Sequence, residues 1–227
     1  ERARVVAPIE RDLVLLGLGG TVGTGGKPLR GEIAVVESLE EIAGRGEALR
    51  GKIVVINQAM PTFDHDGHRS FYGETVKIRS SGASEAAKVG AKAVLIRSVT
   101  ANSLRSPHTG AVRYDEKVAK IPAAAVTLED AELLARLARR GKATVELSLG
   151  AKTLPDSESG NAIAELRGRE LPDEVVVIGG HIDSWDVGDG STDDGAGCVM
   201  AMEAAALLKE LGLVPRRTIR VVLFTNE

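Results

Sequence analysis

His181, Asp183 and Asp193 bring an imidazole and two carboxylates into one short stretch of the chain. Zinc takes imidazole nitrogen and carboxylate oxygen as ligands, and a two-zinc hydrolase also needs a carboxylate that bridges metals about 3.5 to 4 Å apart. His181 suits the first task and Asp193 the second. Asp183, two residues beyond His181, is placed to accept the other ring proton of a ligating histidine, fixing its tautomer and raising its basicity. Each motif also has a plainer reading. A histidine after an apolar strand is often a satisfied structural residue, and Asp193-Asp194-Gly195 alone is a turn opening a helix, where the dipole favours acids. The metal reading accounts for the set, and the turn reading for one motif.

The elements around these residues predict how they meet. Val175-Val176-Val177-Ile178 reads as a buried strand delivering Gly179-Gly180-His181, and Asp193 stands just before a helical pattern. Both therefore point to the carboxyl edge of a parallel sheet, where open α/β folds bind ligands. Ala196 to Leu211 reads as a helix with Val199, Met200, Leu207, Leu208 and Leu211 as its apolar stripe, stopped by Gly212 and Pro215. Ile219 to Phe224 reads as a fully buried strand, and Asn161 to Leu166 as a strand at hairpin distance from Glu174 to Ile178.

Upstream the texture differs. Strands are predicted over Leu13–Leu18, Glu32–Val36, Gly51–Ile56, Ala93–Ile96 and Thr144–Leu149, with a helix from Ser84 to Val89 closed by Gly90. Thr127 is the expected N-cap of a helix running to Arg139, with Asp130 reaching back as in a capping box and Gly141 at its end. The polar loop Leu154–Gly160 marks a joint.

With 43% apolar and 27% charged residues in 227, the chain has the composition of a globular protein with one large core or two modest ones. A net charge of -3, with basic residues scattered among acids, argues against a nucleic-acid surface. No apolar run reaches the roughly 18 residues of a membrane span. Cys198 is the single cysteine, so no internal disulfide forms, and a small buried hydrophobe is the expected role. The chain begins at Glu1 and stops at Glu227, directly after an apolar strand, which reads as part of a larger sheet. His65-Asp66-Gly67-His68 and the pair His108 and Tyr114 read as loop architecture rather than chemistry. Gly17 to Gly26 has no lysine to complete a phosphate loop and reads as a mobile surface turn.

Taken together, Gly180-His181-Ile182-Asp183-Ser184-Trp185-Asp186-Val187-Gly188, Asp193-Asp194-Gly195 and Thr225-Asn226-Glu227 resemble the co-catalytic zinc exopeptidases. Gly51–Gln58, Glu85–Ala91, Leu95–Ser98 and Ser106–Gly110 resemble the protease-associated domain inserted in that family, so the likeness runs along nearly the whole chain. The resemblance implies an α/β fold: an insert domain over residues 1–152, and over 153–227 the first part of a catalytic domain with a mixed, phosphorylase/hydrolase-like sheet and covering helices.

It implies His181 as a terminal zinc ligand, Asp193 as the carboxylate bridging two zinc ions, Asp183 as the partner orienting His181, and Glu227 as the general base. A second glutamate, a further aspartate and a distal histidine would complete the metal site outside this sequence, so the chain alone is expected to turn over nothing. The implied substrates are short unblocked peptides, cleaved in dipeptidase, carboxypeptidase or aminopeptidase fashion, by an exported homodimer. Two rival readings stand beside it: a non-catalytic interaction module, and a hydrolase of the same metal architecture acting on non-peptide amides.

Overall fold

A computed structural model describes residues 1–185 and 187–227, so Asp186 of the histidine motif lies outside the described residues. The chain forms two compact units, 1–154 and 155–227.

The first unit contains β1 (Arg2–Ala7), β2 (Arg11–Leu13), β3 (Leu15–Gly17), β4 (Leu29–Val36), α1 (Leu39–Arg45), β5 (Ile53–Ile56), α2 (Tyr72–Thr75), α3 (Lys77–Lys88), β6 (Ala93–Arg97), β7 (Ala123–Val126), α4 (Leu128–Arg140) and β8 (Thr144–Ser148). Its eight strands form one sheet in the order β2-β1-β8-β4-β5-β6-β7-β3. The run β4-β5-β6-β7 is parallel, and the flanking pairs are antiparallel. Helices cover both faces of the parallel part: α1 and α3 pack on Ala34, Val36, Val54, Ile56, Val94 and Ile96, while α4 packs on Ile33, Ile53, Val55, Ala93 and Leu95. Strands covered twice are buried at every position, and β5 is: all four of its side chains are inaccessible.

Thr127 caps α4, its hydroxyl accepting from the Asp130 N–H at 3.2 Å. The Asp130 carboxylate does not complete the expected capping box. It accepts instead from the Val14 N–H at 2.7 Å, while the Thr127 N–H donates to the Val14 carbonyl at 3.3 Å. These two bonds fall where Val14 interrupts the predicted Leu13–Leu18 strand, splitting it into β2 and β3. Nor is Gly17–Gly26 a mobile turn throughout. Leu18, Gly19 and Thr24 each donate to a carbonyl elsewhere in the unit, Leu18 and Thr21 are buried, and within the segment only Gly20, Gly25 and Gly26 are exposed.

The second unit contains β9 (Ala162–Leu166), β10 (Leu171–His181), α5 (Ala196–Glu210) and β11 (Arg217–Phe224), with sheet order β10-β11-β9. β10 and β11 are parallel, and β9 is antiparallel to β11. The expected hairpin spacing of β9 and β10 therefore does not produce a hairpin, because β11 lies between them. Val175, Val176 and Val177 are 39, 46 and 54% exposed, against the buried strand expected. In β11 only Thr218, Val221 and Val222 are buried. Among the described residues α5 is the single α-helix of this unit, and it turns Cys198 and Ala201 inward with Ala205 and Leu208 half-buried behind them. Val199, Met200, Leu207 and Leu211 of the predicted stripe are exposed.

Candidate metal centre

His181 is the last residue of β10 and pairs with Phe224 of β11. The strand reaches it through Gly179 and Gly180, which are glycine for lack of room. A methyl on Gly179 would come within 1.9 Å of the Val222 carbonyl oxygen, and one on Gly180 within 2.3 Å of an Asp194 carboxylate oxygen. The imidazole is held from both sides. Its Nδ1 lies 3.0 Å from Asp183 Oδ1 and 2.9 Å from the Asp183 carbonyl oxygen, and its Nε2 lies 3.1 Å from Asp193 Oδ1. The side chain of His181 is 15% exposed and that of Asp193 84%. Partial burial of the ring opposes its charged form, but the hydrogen bonds to Asp193 and Asp183 together outweigh it and raise the His181 pKa above its ordinary value.

The two adjacent aspartates, joined by a cis peptide, divide their work. Asp193 points its carboxylate at the ring and at solvent. Asp194 is spent on the backbone: Oδ2 accepts from the His181 N–H at 3.1 Å, and Oδ1 from the Gly197 N–H at 3.2 Å in the first turn of α5. Sequence reasoning singled out the Asp193-Asp194-Gly195 motif without assigning Asp194 this task. The signal was present, since an aspartate three residues before an otherwise unpaired helical N–H is a usual cap. Cys198 is buried behind the histidine, its thiol 3.3 Å from the His181 carbonyl oxygen.

Glu227 follows Phe224 by three residues, so the β10/β11 register brings the chain end to the same carboxyl edge as His181. Its side chain is exposed, and its carbonyl oxygen accepts from Asn226 Nδ2 at 2.8 Å.

Two ligands of one tetrahedral zinc, at bond lengths of about 2.0 to 2.2 Å, stand about 3.4 Å apart. The 3.1 Å between Nε2 and Oδ1 is close to that separation, and Nδ1 is already committed to Asp183, so the free ring nitrogen and the carboxylate fit a shared divalent cation. Among the described residues no cluster of three or more His, Cys, Asp or Glu side chains suited to a metal is present. The other histidines belong to the first unit. His65 stacks edge-on against Phe63 in a turn closed by Asp64, which accepts from the Asp66 and Gly67 N–H groups. The His108 ring meets Tyr72 edge-on, and Tyr114 donates to the Ile121 carbonyl.

Residues 9–134 match the PA domain family and residues 161–227 match Peptidase family M28. Carboxypeptidase Q of Xenopus laevis is 48% identical over the whole of this chain, and that of Homo sapiens 47%; the chain covers 47% and 46% of their lengths. The chain thus spans about half the length of the curated relatives it matches. A solved peptidase M28 precursor from Shewanella amazonensis superposes on 99% of the chain with a TM-score of 0.90 and 38% identity, the match covering 50% of that protein. A zinc aminopeptidase from Bacillus subtilis, 23% identical with a TM-score of 0.66 over 99% of this chain and 47% of its own, shares the fold. The chain belongs to the PA domain family through residues 9–134, and its residues 161–227 are similar to peptidase family M28.

Proposed function

We propose that this chain supplies part of the active site of a zinc-dependent exopeptidase acting on short peptides, with His181 and Asp193 as zinc ligands, Asp183 as the group that orients His181, and Glu227 as general base. The observation that supports this most directly is the approach of His181 Nε2 to Asp193 Oδ1 at a strand edge, with Nδ1 held by Asp183. His181 and Asp193 would hold zinc there, with two ions expected in the complete enzyme, and zinc would supply Lewis acidity to the scissile carbonyl and a water of lowered pKa. Asp183 keeps the ring proton on Nδ1, so that Nε2 presents its lone pair. Asp194 fixes the backbone of His181 and the start of α5, which sets the spacing of the two ligands. Glu227 takes a proton from the attacking water and returns it to the leaving amine.

In this reading residues 1–152 are an inserted domain and 153–227 the first part of the catalytic domain. Export and homodimer formation belong to the same reading of the complete protein. Two zinc ligands do not make a working site, so the 227-residue chain alone should bind zinc weakly and hydrolyse nothing.

The test is hydrolysis of free, N-acetylated and C-amidated dipeptides by the protein as its gene encodes it. We expect activity that a chelator removes, zinc restores and Glu227→Gln abolishes. Cleavage of N-acetylated but not C-amidated substrate would identify a carboxypeptidase, the reverse an aminopeptidase, and cleavage of the free form alone a dipeptidase. Activity indifferent to both chelator and Glu227→Gln would sink the proposal.

A further inference from the structure

β4 changes its neighbours along its length. Leu29 to Glu32 pair with β8, ending at Glu32 opposite Thr144, and the Ile33 N–H donates to the Ala143 carbonyl at 2.9 Å. β8 starts at Thr144, so among the described residues no strand runs beside β4 on that side beyond Ile33. A strand repeats every two residues, so the Val35 N–H and C=O face the same way as those of Ile33, toward this open edge. Val36 faces β5, where its carbonyl accepts from the Asn57 N–H at 2.8 Å. The Val35 carbonyl is met by Arg45 Nη1 at 2.6 Å: one side chain stands where a neighbouring strand would.

A cavity of about 520 Å³ surrounds this edge, lined among others by Glu37, Glu41, Arg45, Ala135, Arg139 and Lys142. Because α1 and α4 cover opposite faces of the sheet, a cavity that touches both wraps the edge of β4. Its charge is locally paired, Glu41 with Arg45 at 3.3 Å and Glu32 with Lys52 at 3.0 Å, but the net sign differs between the two ends of the strand. Glu37 and Glu41 lie past the C-terminal end of β4, while Arg139 and Lys142 precede Ala143, the partner of Ile33 at the other end. Arg139 makes no ion pair among the described residues, and Lys142 acts on Glu32 through space.

We infer that this edge binds a short extended peptide as an added strand antiparallel to β4, with its carboxylate at Arg139 and Lys142 and its ammonium at Glu37 and Glu41. An exposed strand edge recruits extended peptides through main-chain hydrogen bonds, and the placement of charge selects the direction. That direction continues the antiparallel β4–β8 pairing, with the peptide in line with β8 and Arg45 yielding the Val35 carbonyl to a peptide N–H. The site lies within residues 1–154 and is independent of the peptidase reading.

The test is a titration of ¹⁵N-labelled chain, carrying His181→Ala to exclude hydrolysis, with free trialanine and with its N-acetylated, C-amidated form. The Val35 amide resonance should move along a saturating curve with free trialanine. Binding should weaken about tenfold or more with the blocked peptide and with Arg139→Glu, as expected for loss of a charge-assisted contact. An unmoved Val35 resonance in a chain that retains its dispersed spectrum would overturn the inference, as would equal binding of free and blocked peptides or an Arg139→Glu chain that binds undiminished. Shifts confined to residues 155–227 would also overturn it while leaving the peptidase reading intact. A titrating Val35 in a protein that fails to hydrolyse dipeptides would count against the peptidase reading alone.

Discussion

β5 and β10 are built from the same kind of residues and end in opposite environments. Ile53-Val54-Val55-Ile56 is inaccessible throughout, and Val175-Val176-Val177 is between 39 and 54% exposed. β5 lies mid-sheet with helices on both faces; β10 is an edge strand whose unit has one α-helix among the described residues. Apolar β-branched composition therefore reports a strand's suitability for burial, and the cover itself comes from elements elsewhere in the chain.

The largest effect expected from this contrast is on stability. Ile56→Ala should destabilise the first unit by about 2 to 5 kcal/mol, because it removes buried methylenes and leaves a cavity, as chemical denaturation followed at that unit would read. The second unit should be most sensitive at its site. Asp183→Asn should lower zinc affinity of the protein as its gene encodes it about tenfold by removing the negative charge beside Nδ1, while the backbone carbonyl at 183 still holds the ring, measured by competition with a chromophoric chelator, with the thermal midpoint nearly unchanged. Thr127→Ala should remove the cap of α4 at a loss of about 1 kcal/mol, visible as a lowered denaturation midpoint of the first unit alone. Smallest of all, Val176→Thr should shift the stability of this chain by no more than about 0.5 kcal/mol. A loss comparable to that of Ile56→Ala would mean that β10 is covered, and the contrast would fail.

Most strands and helices of the first unit were legible because their signals are local: a Thr127 cap, Gly90 and Gly141 terminators, an uninterrupted Ile53–Ile56 run. β1, α1, α2 and β7 were not singled out, and α3 begins at Lys77, well before the expected start at Ser84. β7 is Ala123-Ala124-Ala125-Val126, whose small side chains carry little strand preference, and it becomes a strand because β6 and β3 flank it. The break at Val14 was illegible for a different reason: its cause is Asp130, 116 residues away. In the candidate metal centre, residue types and spacing pointed to His181, Asp183 and Asp193, and the structure brings these three side chains together. What spacing left out was the division between neighbours. Asp193 and Asp194 are identical in composition and adjacent in sequence, and their roles separate only through a backbone that turns one carboxylate toward the ring and the other toward two N–H groups.

That second carboxylate also makes a reporter of the His181 amide. Its proton is bonded to the side chain of Asp194, so its exchange with deuterium follows the loop and the start of α5 as much as the fraying of the sheet. A slow His181 amide in metal-free protein would mean that the loop is already ordered before any ion arrives. A fast one beside slowly exchanging Ile178 would mean that the ion has to organise the loop itself, and the ordering free energy would be subtracted from its affinity.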